Sequence, residues 1–298
     1  MRSTGPSRRA ALLGAAGAFV VGSLSGCARD PAPGVDRLVI ATAGRLPGQE
    51  VVTVETGASH DNLILLDRGD ADLGLANLDS ILDTDIAVEG SRVSAVGRLY
   101  DSFVHLVVTA DSPIRSLGDI EGARVSMGTV NSGTEFTAGQ ILDVLDVRPE
   151  ELRLDQADSA AALASGEIDA MFSLTGLPTP AIADLAEERP LRLVDLSDAA
   201  HSMASTYPEA YFPATIPATT YTGIPACPTM SIPNLLLCRE ELPDELVRRI
   251  TAAMYTGAGR LAEQRPEAAQ INVRTGISTG IVPLHPGAEQ WYRENKPA

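Results

Sequence analysis

The chain has 298 residues, and 39 acidic side chains against 23 basic ones leave a formal charge of −16. Such a field argues against nucleic acid or an anionic lipid surface as a partner, because both are themselves anionic. The length allows a substantial core in two lobes or one large domain.

In chain order the first feature is a leader. Arg2, Arg8 and Arg9 precede an apolar run from Ala10 to Val21, short of the roughly 20 residues that cross a bilayer. Small residues then lead into Leu24-Ser25-Gly26-Cys27. This is the layout of a secretory signal, residues 1–26, ending in a lipobox with Cys27 as the lipid-bearing new N-terminus. Ser7-Arg8-Arg9-Ala10-Ala11-Leu12-Leu13 resembles a twin-arginine export start. The expected location is the extracytoplasmic face of the cell membrane, with Cys27 as the anchor. Loss of the three arginines takes the formal charge from −16 to −19. Residues 27–36 read as a Pro/Gly-rich tether.

Two short strands follow, Leu38 to Thr42 and Val51 to Thr56, the second rich in β-branched residues. Ser59 starts a helix that runs through Asp67 and stops at Gly69. Apolar strands recur at 103–109, 124–128, 170–174, 191–195 and 235–238, with late helices near 244–255 and 257–264. Alternating helices and strands define an α/β architecture. One phrase occurs twice: Gly69-Asp70-Ala71-Asp72 and Gly166-Glu167-Ile168-Asp169 each end a helix before an apolar strand. Glycine supplies the left-handed cap there, and the repetition suggests two lobes of similar build. Cys227 and Cys238 lie eleven positions apart. An extended segment holds them roughly 30 Å apart, whereas a turn at Pro233-Asn234 brings them within bridging range, so a disulfide stays open.

Three helix starts are preceded by small polar residues: Thr56 to Asn62, Thr129 to Glu135, and Thr175 to Pro180. Ser132 and Glu135 have capping-box spacing, and Thr179 with Pro180 reads as a cap followed by the first helical position. Such ends offer unpaired amides and the positive pole of a helix to a carboxylate or phosphate. Any one of them alone is a common cap; three after strands of an α/β chain point to a cleft at the strand ends. Gly276-Ile277-Ser278-Thr279-Gly280 matches the pattern of a hydrolase nucleophile elbow, but that motif needs a strand before and a helix after, and Pro283 obstructs the helix. His60, His105, His201 and His285 show no metal-ligand spacing. They read as structural or solvent-exposed, His60 excepted because it lies in the first of these turns. No cofactor, metal or catalytic residue is expected.

Several phrases now line up: Thr56-Gly57-Ala58-Ser59 with Asn62; Ala71 to Leu75; Leu106 to Ser112; Asn131-Ser132-Gly133-Thr134; Tyr211 to Pro217; and Val282-Pro283-Leu284-His285-Pro286-Gly287-Ala288. In this order the chain resembles the TAXI family of solute-binding proteins of TRAP transporters, from about Arg37 to Arg293. The resemblance implies a two-lobed, type II periplasmic-binding-protein-like fold with a hinge and an interlobe cleft. Lobe 1 would be 37–110 plus 218–298, and lobe 2 would be 111–217. It implies a small organic anion or a glutamate-like amino acid as solute and TRAP permease subunits as partners. Solute contacts would fall on Ser59, Asn62, Asn77, Asp79, Asn131, Ser132, Gly133, Thr134, Thr175 and Gly176.

The family follows its first strand with a glycine/tyrosine phrase and a long helix. Here only Ala43 to Glu50 intervene, too few for a helical crossover. Arg45 beside Leu46-Pro47-Gly48 either offers a carboxylate clamp or is a solvated loop arginine. The missing helix motivates an alternative function, a sensory or interaction lipoprotein that no longer serves transport.

Overall fold

The structure, a computed structural model, describes residues 39–42, 52–56, 59–82 and 92–295. The leader, Cys27, the tether and Arg45 lie outside the described residues.

Strands β1 (Val39–Thr42) and β2 (Val52–Glu55) open the fold. Helix α1 (Ser59–Arg68) follows, closed by Gly69 at φ +75°, a backbone angle that costs glycine little. Then come β3 (Leu73–Asn77), α2 (Leu78–Leu82) and the 17-residue β4 (Val93–Thr109). The middle of the chain holds β5 (Arg124–Ser126), α3 (Gly133–Leu145), β6 (Glu150–Leu152), α4 (Gln156–Ser165) and β7 (Ala170–Thr175). It continues with α5 (Pro180–Glu188), β8 (Leu191–Leu193), α6 (Ser197–Thr206) and β9 (Phe212–Ile216). Strand β10 (Cys227–Arg239) leads into α7 (Asp244–Ala262), α8 (Val273–Gly276) and α9 (Pro286–Glu294).

The strands form one mixed sheet in the order β2-β1-β3-β10-β4-β7-β5-β6, with β8 on β4 and β9 on β10. Two long antiparallel strands tie it together. β4 pairs with β10 from Val93 to Phe103, then with β7 and β8 from Phe103 to Thr109. β10 pairs with β9 from Cys227 to Ser231 and with β3 from Asn234 to Cys238. Each half of the sheet therefore owns one end of both strands.

The repeated phrase has a common job. Asp169 receives Arg124 through Nε at 3.0 Å, Nη2 at 2.7 Å and the backbone N–H at 2.9 Å, which holds its carboxyl below the usual range. Asp72 pairs with Arg239 of β10 at 3.3 Å. In each half the last acid of the phrase ties down an arginine from the neighbouring strand.

One local reading is corrected and one open alternative is decided. The late helices are one, Asp244–Ala262, because the buried face of Val247, Thr251, Ala258 and Leu261 continues in helical register past Gly257 and outweighs its low propensity. Cys227 and Cys238 lie on a single strand that runs straight through Pro233-Asn234, and both are free and buried. Pro233 is accommodated beside a register shift at Asn234/Leu235 in the pairing with β4, where a missing N–H is tolerated.

One core cluster joins the halves: Leu63, Leu66, Leu78 and Ile81 lie with Val104, Met127, Ile141 and Tyr211. Each fully buried side chain of this size contributes about 1.5–3 kcal/mol. A second cluster packs α7 and α9 on the sheet through Val247, Leu261, Ala288 and Trp291. The late phrase is part of that packing. His285 caps α9, its Nδ1 accepting the Gly287 N–H at 3.1 Å while the other ring nitrogen lies 3.1 Å from the Glu240 carbonyl.

Candidate functional site

The ends of β3 and β7, with α1 and α3, bring the sequence-picked residues into one region. Ser59 opens α1 and is buried; its Oγ accepts the backbone N–H of Asn77 at 3.2 Å and Asn77 Nδ2 at 3.4 Å. Asn62, one turn on, donates to the Leu75 carbonyl at 2.8 Å and accepts from the Thr56 hydroxyl at 2.6 Å. Asn77 is the node. Its Oδ1 accepts from the Ser102 hydroxyl at 2.9 Å and from Asn234 Nδ2 at 3.0 Å.

The second helix start meets this node. Asn131 takes the left-handed conformation, φ +62°, and Ser132 caps α3 by accepting the Glu135 N–H at 3.1 Å. The Glu135 carboxylate reaches back to the Asn131 N–H at 2.6 Å and pairs with Arg153. The expected capping box thus forms one residue out of register. Gly133 then comes so close to α1 that a Cβ would sit 2.8 Å from Asn77 Nδ2 and 3.1 Å from Ser59 Oγ. Asn131 Nδ2 also donates to the Asp61 carboxylate at 3.4 Å. Two helix N-termini from different halves of the sheet therefore face each other in contact, with positive poles opposed.

The other picked residues surround them. The Thr134 hydroxyl accepts the Leu174 N–H at 3.1 Å. Thr175 ends β7 opposite Phe103. Gly176 lies against Tyr100 and Glu267, where a Cβ would fall 2.6 Å from Glu267 Cβ. Burial and the nearby Glu267 charge push the Tyr100 phenol well above its ordinary range. Thr179 precedes Pro180 as expected, but its backbone N–H donates to Tyr221 at 2.9 Å rather than to a solute. The Tyr221 hydroxyl in turn lies 2.9 Å from His105 Nε2, and His105 Nδ1 donates to the Phe103 carbonyl at 3.0 Å. Burial lowers the His105 pKa to about 4, so the ring is neutral and structural.

Asp79 sits beside the node at the start of α2, not in it. Its carboxyl is enclosed by Ser80, Thr137 and Tyr211, and burial raises its pKa from the ordinary carboxylate value. An open recess of about 290 Å³ adjoins it, lined by Asp79, Leu82, Gln140, Tyr207, Ala210 and Tyr211.

Sequence reasoning missed Asn234 and Ser102. Asn234 is 7 % exposed, and its Oδ1 has no partner among the described residues. Its signal was a polar residue inside the apolar run from Cys227 to Cys238, which the preceding proline disguised as a turn. Gly276 to Gly280 follow the short helix α8 rather than a strand, so the segment lacks the strand–turn–helix of a nucleophile elbow. Among the described residues no group of three or more His, Cys, Asp or Glu is placed to hold a metal.

Two half-sheets joined by paired long strands, with helix N-termini opposed between them, define the type II periplasmic-binding-protein fold. The protein XAC2383 from Xanthomonas citri, solved with ATP, superposes at TM-score 0.50 over 87% of this chain and 95% of its own, with 14% identity. The aliphatic sulphonate binding protein SsuA from Escherichia coli aligns at 0.47 over 89% and 84%, with 17% identity. The substrate binding protein of an amino acid ABC transporter aligns at 0.45 over 76% and 98%, with 13% identity. By sequence, residues 37–295 match the NMT1-like family. The chain belongs to that family.

Proposed function

We propose that this chain is an extracytoplasmic solute-binding receptor of a transporter, whose two halves close over a small polar solute. The observation that carries this reading is the contact of Gly133, at the start of α3, with Ser59 and Asn77 at the start of α1 and the end of β3. The first-turn amides of each helix have no partner inside that helix, and together they suit a carboxylate or sulfonate. Ser59, Asn62, Asn131, Ser132 and Thr134 supply the surrounding hydroxyls and amides, and Thr175 and Gly176 form the far wall. Asn234, buried with an unused acceptor, takes an N–H of the solute. The solute class is a small organic anion or an amino acid, and the chemistry is binding rather than catalysis.

Opening about the two long strands admits the solute, and closure stabilises the bound state and presents a joint surface to a permease. The phrases shared with TAXI proteins support a TRAP-type permease as partner. The lipobox supports a lipid anchor at Cys27 on the outer face of the membrane, with lobes at 37–110 plus 218–298 and 111–217. Arg45 is assigned, from the sequence alone, as a further contact for the solute carboxylate.

The test is a thermal-shift screen over carboxylates, sulfonates and amino acids, followed by calorimetry on the best hit with wild type and Asn234→Leu. Binding that weakens at least tenfold in the variant is expected. Silence across the whole panel refutes the reading. Mass spectrometry of the native N-terminus tests the anchor.

A further inference from the structure

Asp79 is 1 % exposed. Facing it are Thr137 and Gln140 from α3, Tyr207 and Tyr211 after α6, and Ser80 from its own helix. The only titratable groups among these are phenols. The elements α1, β3 and β10 also pack on α2, and none of them adds a charge that acts on the carboxyl.

With the Gln140 oxygen facing Tyr211, the hydrogens around Asp79 do not add up for a bare carboxylate. The Tyr211 oxygen lies 2.9 Å from Asp79 Oδ2 and 2.7 Å from Gln140 Oε1, and Thr137 donates to the same Oδ2 at 2.5 Å. One phenol hydrogen serves one of two acceptors. With a proton on the carboxyl every hydrogen is placed: Asp79 donates to the Tyr211 oxygen, Tyr211 donates to Gln140, and Thr137 donates to Asp79. Rotating the Gln140 amide would satisfy an ionised Asp79 instead, and the experiment below separates the two.

Asp79 lies on the α1–β3 side of the molecule, whereas Thr137, Gln140 and Tyr211 come from the α3 side. We infer that closure assembles a proton-binding site at Asp79, so that the receptor takes up one proton as its halves meet and releases it as they part. This rests on the reading of the halves as a hinged receptor. Burial, with no cation beside it among the described residues, raises the carboxyl's pKa in the closed form; in the open form the group returns toward the ordinary carboxylate value. Between those two values the closed form holds more protons, so falling pH favours closure and rising pH favours opening. The adjoining recess gives water a route to the carboxyl.

Two measurements without any solute test this. The infrared difference spectrum of wild type minus Asp79→Asn should contain a carboxylic-acid carbonyl band that persists to higher pH than that of an exposed carboxyl. Spin labels at Asp67→Cys and Glu167→Cys, both exposed, should approach as pH falls from 8 to 5 in wild type and stay close at every pH in Asp79→Asn. Tyr211→Phe, a second variant should the first fail to fold, should move the midpoint of that transition. Absence of the band, or a distance profile that Asp79→Asn and Tyr211→Phe both leave unmoved, overturns the inference. Either result leaves the solute reading standing, since that reading fails only on a silent solute panel.

Discussion

Gly133→Ala is the sharpest probe of the meeting between the two helix ends. The added methyl would stand 2.8 Å from Asn77 Nδ2 and 3.1 Å from Ser59 Oγ, inside ordinary contact distance. Asn77 cannot swing aside freely, because Ser59, Ser102 and Asn234 all hold it, and each such bond is worth about 0.5–1.5 kcal/mol. Overpacking a tight contact costs about 1–3 kcal/mol. Within its own half the change is mild or favourable, since alanine outranks glycine in a helix by up to about 1 kcal/mol. The cost therefore falls on closure, which should weaken by about 5- to 150-fold. Calorimetry with a solute from the screen reads the affinity, and chemical denaturation reads the fold. Affinity within twofold of wild type would falsify the claim that these two helix ends meet in the bound state.

Three further outcomes follow from neighbouring parts of the structure. Gly287→Ala should destabilise the fold by several kcal/mol in a denaturant melt, because its Cβ would fall 2.0 Å from the Asp244 carbonyl oxygen and both partners are backbone. His105, whose pKa is lowered to about 4, should stay neutral at pH 5.5 in a nitrogen-detected NMR titration. The unfolded ring binds the extra proton first, so this group's contribution to stability is present above about 6.5 and is lost as pH falls toward 4; a ring that titrates near 6.5 in the folded protein refutes this. Cys227 and Cys238 should both react with a thiol reagent only after unfolding, since burial pushes the Cys227 thiol up to about 11 and Cys238 higher still; rapid labelling of the native protein would contradict the buried strand.

The parts of this fold governed by local rules were readable in the chain. The strands β1, β2 and β7, the start of α1, the Gly69 and Gly166 caps and the capped start of α3 all follow from turn residues beside short apolar runs. What escaped depended on partners distant in sequence. Of the 17-residue β4 only 103–109 reads as a strand in the sequence, because residues 93–102 pair with β10, far away in sequence. Asn234 was open to a turn or a strand, and its pairing with Tyr100 and Asn77 decides for the strand. The gap between two late helices was imposed by Gly257, whose cost is small against the packing of α7 on α9. Asp79 is named only through the family resemblance, as a solute contact, and its enclosure by Thr137 and Tyr211 is a product of tertiary packing.

The place of the first two strands in the sheet bears on the proposed site. β1 and β2 pair in parallel over four residues, Val39 with Val52 through Thr42 with Glu55. Both strands sit at the edge of the sheet, beyond β3 in the order β2-β1-β3-β10-β4. The floor of the proposed site, the Ser59–Asn77–Asn234–Ser102 network, is built by α1, β3, β10 and β4. If that network recognises the polar end of the solute, Arg45→Ala should change the affinity less than Asn234→Leu does in the same calorimetry.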